Sequence, residues 1–376
     1  MKPEDIYKKK YKGLYCVGCE EFKMEKDLID GKCPEHNCPP EEIEEENYFF
    51  KLSNYQNRIL DLIRTDKVKV EPGYRKNEVI SFIESGLNDL SISRSVERAE
   101  NWGVPVPGDD SQIMYVWIDA LANYITALDY NKEGELYEKY WVSGDERIHV
   151  VGKGILRFHA IYWIAMLLSA DLPLPTAVLS HEYLTINGEK ISKSLGNVIN
   201  PEEVVDKFGV DGARYVLLTS LPWSKDGDVN WERMTVKYSS DLANNIGNLV
   251  QRTISMINKY EIQVESQNLK VKTEENNLFN FDMTEFKNEI ESLKMELALK
   301  RVIVAAQSLN QYIDENKPWS LAKENMAKCA EVLNRVRNDL IYLANFISPF
   351  MPDTAEKMKN QLETLKPEPL FPRIDA

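Results

Sequence analysis

The stretch Gly188-Glu189-Lys190-Ile191-Ser192-Lys193-Ser194-Leu195-Gly196-Asn197 decides how the rest of the chain is interpreted. Two lysines three residues apart flank small hydroxyl side chains, and glycine brackets the run on both sides. Glycine lets the backbone turn tightly and approach a ligand. Two ammonium groups in such a loop can surround phosphate oxygens. The stretch therefore predicts a phosphate-binding loop, and a solvated surface loop is the alternative for a generic cluster of this kind.

The composition indicates a globular protein of two or three domains, because 376 residues are enough for more than one core. Hydrophobic residues make up 43% and charged residues 28%, and no stretch approaches the ~20 apolar residues of a membrane span. The start, MKPEDIYKKK, lacks the apolar core of a secretory signal, which favours a cytoplasmic protein with no membrane partner. The net charge of −14 argues against broad nonspecific affinity for nucleic acid but allows a local binding face.

The cysteines near the start have the spacing of metal ligands. Cys16 and Cys19 form a C-x2-C pair, and thirteen residues later Cys33 and His36 form a C-x2-H pair. Two such knuckles close a tetrahedral Cys3His zinc site, which would be structural because no position remains for water. Scattered free thiols are the alternative, and Cys38 replaces His36 as fourth ligand if His36 does not bind.

Local patterns predict several elements of the first half of the chain. The acidic stretch 39–46 reads as a connector, and 56–66 as an amphipathic helix. Asn77 is a candidate cap for a helix over 77–86, and the run 114–120 is typical of a strand. A largely apolar helix is predicted over 155–169, after the buried strand-like run that contains His149.

The second half has a helical pattern with three predicted long helices, over 239–260, 292–312 and 327–347. Asn244, Asn248 and Arg252 stand at i, i+4 and i+8, so they form one stripe that can contact base edges and phosphates or remain a solvated face. Trp319 follows a proline at an inter-helix turn, where it can stack on an unpaired base or pack locally.

Aromatic residues also mark a candidate pocket. Trp117 and Tyr124 can pack in the core, or they can line an apolar pocket for a thioether, because sulfur packs well against aromatic rings. His159 lies within the predicted apolar helix, where a satisfied core histidine is the more common outcome.

Several motifs, in the same order along the chain, carry a resemblance to one family. Lys-Ile-Ser-Lys-Ser at 190–194 resembles the second signature of class I aminoacyl-tRNA synthetases. Further motifs resemble those of methionyl-tRNA synthetases of the bacterial one-zinc type. They are the zinc spacing, ENYFFKLS beginning at Glu46, LNDLSISR, WGVPVPGD and the Lys317-Pro318-Trp319 turn. The resemblance covers essentially the whole chain.

The resemblance implies an α/β plus all-α architecture in three domains. Residues 1–110 would be a connective insertion with the zinc knuckle, and 111–235 the second half of a Rossmann-like catalytic domain with the KISKS loop. Residues 236–376 would be a helical anticodon-binding bundle.

The resemblance also implies roles for individual residues and their ligands. ATP, bound with Mg²⁺, would contact the loop formed by Lys190, Ile191, Ser192, Lys193 and Ser194. Catalysis would involve Lys190, Ser192, Lys193 and Arg94. Methionine would be bound by Trp117, Ala120, Leu121, Tyr124, Ile155 and His159. The anticodon of tRNA(Met) would be read by Asn248, Arg252 and Trp319, and structural zinc would be held by Cys16, Cys19, Cys33 and His36.

The chain departs from the family pattern at three places. The first class I signature, His-x-Gly-His, does not occur among the four histidines, Gly154 replaces a usual aspartate, and Ile164 replaces a frequent proline. The resemblance therefore implies a methionine–tRNA ligase that is a fragment or subunit and requires a separate amino-terminal catalytic half. The alternative is a non-catalytic tRNA-binding protein derived from a synthetase.

Overall fold

The computed structural model describes residues 2–18, 21–130, 135–191, 198–220, 226–264 and 281–374. The chain divides into two units, Met1–His181 and Glu182–Ala376. The boundary between these units falls within the predicted domain 111–235, and the division into three domains stays a prediction. Within the described ranges, no helix combines the length and apolar composition that a membrane span requires.

The first unit contains ten strands and five α-helices in its described residues. The strands are β1 (Ile6–Cys16), β2 (Glu21–Lys23), β3 (Glu41–Phe50), β4 (Lys69–Glu71), β5 (Leu90–Ser91), β6 (Ser93–Ser95), β7 (Pro105–Val106), β8 (Asp109–Met114), β9 (Ile148–Gly152) and β10 (Ala177–His181). The helices are α1 (Gln56–Arg64), α2 (Gly73–Glu84), α3 (Val116–Thr126), α4 (Glu135–Tyr137) and α5 (Ile164–Ser169).

A long antiparallel ribbon of β1 and β3 corrects the expectation of an acidic connector. Residues 41–46 are part of β3, and their glutamates lie opposite the lysines of β1, with Lys12 facing Glu44 and Lys10 facing Glu46. Lys12 Nζ lies 2.9 Å from the Glu42 carboxylate. Opposite charges on neighbouring strands favour this register. The stretch looked like a connector because its complementary strand lies some thirty residues upstream.

A three-stranded parallel sheet forms the centre of the first unit. Its order is β4–β10–β9, and β10 pairs in parallel with both neighbours. Val178 of β10 and Val151 of β9 lie in one apolar core with the segment 156–168, which follows β9. Parallel strands bring their carboxyl ends to one edge, and this is the edge where open α/β sheets bind ligands.

The prediction of a strand over 114–120 is wrong. β8 ends at Met114 and α3 begins at Val116, so Trp117 and Ala120 are helical. Ile118, Leu121 and Ile125 are the buried residues of α3, and their spacing is that of a helix face. A short apolar run does not by itself distinguish a strand from a buried helix.

Of the two helices predicted before residue 90, one begins where expected and the other begins earlier. The helix expected over 56–66 is confirmed as α1, with Ile59 and Ile63 buried. Asn77 is not a cap, because α2 already begins at Gly73 and the Pro72 carbonyl accepts from the amides of Arg75 and Lys76 at 2.8 and 3.2 Å.

The helix expected over 155–169 is present but irregular. A short 3₁₀ turn (Lys153–Ile155) leads into a wide π-type segment (Phe158–Trp163), which continues as α5. π-type turns within helices are frequent at functional sites.

The second unit contains a small sheet and a helical bundle. The strands are β11 (Leu184–Ile186), β12 (Glu189–Lys190) and β13 (Gly227–Asp228). The helices are α6 (Pro201–Ser220), α7 (Trp231–Lys237), α8 (Asn248–Lys259), α9 (Met283–Glu291), α10 (Met295–Asn316), α11 (Pro318–Glu324), α12 (Met326–Ile347) and α13 (Pro352–Thr364).

The described residues of the bundle share one apolar core, to which α8, α10, α12 and α13 contribute Leu249, Leu299, Leu333 and Met358. The three long helices expected in this region are confirmed in outline. The first is a π-type segment (Tyr238–Gly247) that continues as α8, whereas α9 was not predicted. α6 is interrupted at Gly209, whose φ of 71° is left-handed.

Candidate functional site

An aromatic cluster in the first unit joins three elements. α3 supplies Trp117 and Tyr124, the segment after β9 supplies His159, and β9 itself supplies His149. The ring centroids of Tyr124 and His149 are 4.1 Å apart, and those of Tyr124 and His159 are 5.6 Å apart. Trp117 stacks on Phe158 at 4.0 Å between centroids. We call this set, together with Trp163, the aromatic pocket.

Hydrogen bonds fix the tautomers of both histidines in the pocket. His159 Nδ1 lies 2.8 Å from the Ile155 carbonyl, which can only accept, so Nδ1 carries the proton. Nε2 of His159 is then an acceptor, and the Tyr124 hydroxyl donates to it at 2.8 Å. The indole N–H of Trp163 donates to His149 Nε2 at 3.2 Å. Each of these polar atoms thus has its partner inside the pocket.

Burial keeps both histidines neutral. Desolvation, together with a smaller contribution from the neighbouring His159, lowers the pKa of His149 to about 4. Desolvation also lowers the pKa of His159, although its bond to the Ile155 carbonyl acts in the opposite direction. The pocket is therefore uncharged at neutral pH, and its aromatic walls suit an apolar or sulfur-containing side chain rather than an ion.

The structure brings four of the six predicted methionine-site residues together: Trp117, Tyr124, His159 and, through its carbonyl, Ile155. Leu121 is buried in the core of α3, and Ala120 is half-buried on the same helix.

Sequence reasoning assigned no role to three members of the pocket, His149, Phe158 and Trp163. Trp163 stands four residues after His159, and that helical spacing was a usable signal. His149 offered no comparable signal, because its contacts join a strand to residues on two separate helical segments.

Arg94 lies inside the first unit with 7% of its surface exposed. Its Nη1 donates to the Ser93 carbonyl at 2.7 Å and to the Ser91 hydroxyl at 3.0 Å. The guanidinium lies 4.4 Å from the ring centroid of Tyr115, which directly precedes α3. These contacts hold Arg94 against the residue from which α3 starts, and its catalytic role stays a prediction.

Three of the predicted metal ligands converge. The donor atoms of Cys16, Cys33 and His36 all lie within 4.8 Å of one another, and each sulfur is 3.9 Å from His36 Nδ1. Cys19 lies outside the described residues. A side chain added at Gly18 would meet the His36 ring at 2.5 Å, so the knuckle needs glycine there. Two thiols and an imidazole at this separation fit the donor set of a tetrahedral metal.

Cys38 also belongs to this neighbourhood. Its carbonyl accepts from the Cys33 amide at 2.9 Å. Burial, followed by the charges of Cys16 and Cys33, raises the pKa of the Cys38 thiol. The Cys38 backbone is thus bonded to one of the predicted ligands, and its role as the alternative fourth ligand stays a prediction.

The lysine-containing stretch begins on a tight hairpin of the second unit. β11 and β12 pair antiparallel, with Thr185 opposite Lys190, and the two-residue turn is Asn187-Gly188, with φ of 53° and 79°. Left-handed φ at both positions is what a two-residue hairpin turn requires, and Asn-Gly is its preferred sequence. Ser192, Lys193 and Ser194 lie outside the described residues, and Ile191 is half-buried.

A second candidate surface lies in the helical bundle. The Arg252 guanidinium lies 5.2 Å from the ring centroid of Trp319, and its Nη2 is 2.8 Å from the Asp314 carboxylate. Trp319 is 38% exposed, and Asn248 is exposed on the same helix as Arg252. The left-handed Lys317 (φ 45°) ends α10 and starts the turn that presents Trp319. We call Arg252, Asp314 and Trp319 the exposed arginine–tryptophan cluster.

Comparison with known proteins gives two family matches that together span most of the chain. Residues 37–254 match the family described as tRNA synthetases class I (M), and residues 262–373 match the anticodon binding domain of methionyl tRNA ligase. The chain belongs to the class I methionyl-tRNA synthetase family. This confirms the resemblance seen in the motifs and the combination of a class I catalytic domain with an anticodon-binding domain.

Individual relatives of this synthetase family agree. The methionine–tRNA ligase of Clostridium acetobutylicum is 42% identical over 402 residues, which cover 99% of this chain and 61% of that protein. The methionine–tRNA ligase of Rickettsia conorii is 40% identical over 389 residues, covering 98% of this chain and 73% of that protein. The chain thus spans about three fifths of the first relative and a larger share of the second.

A solved structure of the family has the same fold. The Mycobacterium tuberculosis methionyl-tRNA synthetase in complex with methionyl-adenylate superimposes with a TM-score of 0.81 at 34% identity, covering 99% of this chain and 76% of that one.

Proposed function

We propose that the chain acts in a methionine–tRNA ligase, which attaches methionine to tRNA(Met) at the expense of ATP during translation in the cytoplasm. The observation that carries this proposal is the neutral aromatic pocket, found in a chain that belongs to the methionyl-tRNA synthetase family. A related synthetase of the same fold forms a complex with methionyl-adenylate, the intermediate that this reaction requires.

The proposed reaction has two steps. The methionine carboxylate attacks the α-phosphorus of ATP, so that a carboxyl–phosphate bond forms and pyrophosphate leaves. The 3′-terminal ribose hydroxyl of the tRNA then attacks the carbonyl carbon of the adenylate, and AMP leaves. Mg²⁺ bound with the ATP phosphates would neutralise part of their charge.

We assign the KISKS residues to the first step. Lys190 and Lys193 would offset the charge that develops on the departing pyrophosphate, an electrostatic role that is strongest where water is excluded. Ile191, Ser192 and Ser194 would complete the loop around the phosphates. Arg94 would act near the same reacting groups, as the resemblance implies.

We assign the methionine side chain to the aromatic pocket. Trp117, Tyr124 and His159 would surround the thioether, with Ala120, Leu121 and Ile155 at the periphery. A neutral His159 that already accepts from Tyr124 suits this role, because a charged imidazolium would be costly to bury beside an apolar ligand. Selectivity would then come from shape and from sulfur–aromatic contacts.

We assign the bundle surface to the anticodon. Trp319 would stack on an unpaired base, while Asn248 and Arg252 would contact base edges and phosphate. The exposure of the Trp319 ring and its contact with the Arg252 guanidinium support this assignment.

We propose that Cys16, Cys19, Cys33 and His36 hold a structural zinc ion. The mutual distances of Cys16, Cys33 and His36 support it, with Cys38 as the alternative fourth ligand. Measuring zinc content tests the ligand set: Cys19→Ser and His36→Ala should lose zinc, whereas Cys38→Ser should retain it. Loss of zinc in Cys38→Ser with retention in His36→Ala would assign the fourth position to Cys38.

A further segment with a His-x-Gly-His signature is proposed to complete the ATP site, as a separate polypeptide or as part of a longer one. Among the described residues, β9 pairs only with β10, and Val150 of β9 is 61% exposed. Parallel sheets are normally covered on both faces and carry such apolar residues inside. A strand and helix added beside β9 would cover Val150 and supply the first signature.

Methionine-dependent exchange between ATP and pyrophosphate tests the proposal. We expect no exchange with this chain alone and exchange once an amino-terminal half is supplied. In the completed enzyme, Lys190→Ala should lower the exchange rate roughly 10²–10³-fold. Lys259→Ala, which removes an exposed lysine of α8, is the matched control and should have no effect.

A non-catalytic tRNA-binding protein is the second candidate, and the exposed arginine–tryptophan cluster favours it, since that cluster requires no part of the ATP site. If exchange stays absent in the completed enzyme while the chain still binds tRNA(Met), this second function replaces the first.

A further inference from the structure

A single carboxylate closes the turn of the lysine-bearing hairpin. Asp228 lies on β13, which pairs in parallel with β11, so that Asp228 stands opposite Thr185. Its Oδ1 accepts from the Gly188 amide at 3.0 Å and lies 3.2 Å from the Thr185 hydroxyl. Asp228 is thus bonded to the turn and to the residue that pairs with Lys190.

The other oxygen of the same carboxylate is also held. Asp228 Oδ2 lies 3.3 Å from Asn230 Nδ2 and 3.4 Å from Arg233 Nη1. Asn230 caps α7 by accepting from the Arg233 amide at 2.8 Å. The bond from Gly188 is the largest cause of the lowered pKa of Asp228, so the carboxylate is ionised at neutral pH. The hairpin is therefore tied to the start of α7 through one charged group.

The hairpin requires such support, because it is very short. β12 consists of only two residues, and its pairs are Thr185 with Lys190 and Ile186 with Glu189. A two-stranded hairpin of this size is at best marginally stable in water. A hydrogen bond from a backbone N–H to an ionised carboxylate is stronger than one between neutral groups. The hydrogen bond from the Gly188 amide to Asp228 is thus expected to stabilise the folded conformation of the hairpin.

We propose that Asp228 is a positioning residue for Lys190, because it fixes the Asn187-Gly188 turn of the hairpin whose second strand ends at Lys190. The inference rests on the proposed role of Lys190 in activation. It adds to that role a residue nearly forty positions away, which need not touch ATP, methionine or tRNA. Removing Asp228 should therefore impair activation through the order of the hairpin and not through lost contact with substrate.

Amide hydrogen exchange on the 376-residue chain tests whether Asp228 orders the hairpin, without relying on activity. In Asp228→Ala, the amides of 184–190 should exchange at least about tenfold faster, because they lose a charge-assisted bond. Asp228→Asn keeps an acceptor oxygen and should show a smaller increase. Asp282→Ala is the matched control, since Asp282 accepts from the Glu285 amide at 2.9 Å but belongs to α9. Unchanged protection of α10 and α12 shows that each variant is folded.

Exchange of pyrophosphate in the completed enzyme tests the catalytic consequence. Asp228→Ala should lower kcat about tenfold or more with the KM for methionine unchanged, Asp228→Asn should recover part of this, and Asp282→Ala should have no effect. Unaltered amide exchange at 184–190 in Asp228→Ala overturns the inference, and so does faster amide exchange with unaltered kcat. The proposed role of Lys190 in activation is tested separately: an unchanged kcat in Lys190→Ala would contradict that role.

Discussion

Trp163 and Trp319 are both large aromatic side chains beside proposed ligand-binding residues, but 2% of the first and 38% of the second is exposed. Trp163 donates its indole N–H to a neutral histidine within the aromatic pocket. Trp319 instead lies against the guanidinium of Arg252, which also pairs with Asp314. The two regions thus use the same side chain in opposite environments.

The difference follows from the kind of ligand that each region would bind. A small apolar side chain is held by desolvation, so the pocket needs walls whose polar atoms are already paired and uncharged. A nucleic acid brings phosphates and exposed base faces, so its site can keep a cation and an open ring at the surface. The side chains of the pocket are therefore held in place by hydrogen bonds to one another. In the exposed cluster, the position of Trp319 depends on the backbone turn at Lys317.

The largest expected contrast is in stability. Trp163→Ala should lower the free energy of unfolding of the first unit by about 3–5 kcal/mol, because it leaves a cavity among buried rings. Trp319→Ala should change the stability of the second unit by only about 0.5 kcal/mol or less. Urea unfolding, monitored in each unit by amide hydrogen exchange, measures the stability change in both variants. Equal losses in the two variants would contradict the comparison.

The next contrast is in the response to acid. Below pH 6.5 the unfolded chain protonates His149, whereas the folded pocket does not until about pH 4, so stability is complete above 6.5 and falls as the pH is lowered. The loss should reach about 3 kcal/mol in the first unit. His149→Gln should remove this part of the pH dependence in thermal unfolding measured between pH 7 and 4.

The second unit provides the internal control for this prediction. All four histidines of the chain, His36, His149, His159 and His181, belong to the first unit. The stability of the second unit should therefore be flat between pH 7 and 5, where carboxylates remain ionised. A similar slope in both units would show that the pocket is not the origin of the effect.

A third contrast concerns RNA binding. Trp319→Ala should weaken binding of an anticodon stem-loop by about 1–3 kcal/mol through loss of stacking, as measured by fluorescence anisotropy. Trp102→Ala is the control, because Trp102 is the more exposed ring at 86% and belongs to the first unit. An equal loss in both variants would mean that exposure alone, and not the arginine–tryptophan cluster, determines binding.

The last contrast comes from single polar contacts. Tyr124→Phe removes the donor to His159 Nε2 and leaves a buried acceptor without its partner, at a cost of about 1–3 kcal/mol in the unfolding free energy. Asp314→Asn breaks the exposed ion pair of Arg252 and should cost less, because solvent already screens that pair. Calorimetry of both variants ranks them, and the reverse order would contradict the distinction drawn between the two regions.

Much of the architecture could be predicted from local patterns, and the failures have a common cause. α1 and α12 were predicted from amphipathic spacing, which depends only on neighbouring residues. The acidic part of β3 was missed because it is stabilised by the lysines of β1. The start of α3 at Val116 was missed because an apolar run fits either a strand or a buried helix until its neighbours are known.

The candidate sites show the same division. Spacing alone singled out the knuckle, and three of its four predicted ligands converge in the described residues. The resemblance named Tyr124 and His159 separately, but not the hydrogen bond between them or the involvement of His149 and Trp163. These contacts join residues on different elements, so no local pattern contains them.

By itself, the sequence determined the family of the chain and the chemical types available at each site: lysines and glycines in the KISKS stretch, thiols in the knuckle, and aromatic rings at 117 and 319. Tertiary structure decided which groups meet and in what state. Burial sets the low pKa of His149, and the pairing of β13 with β11 brings Asp228 to the Gly188 turn. Both effects arise from contacts between distant parts of the chain, and only the folded arrangement specifies those contacts.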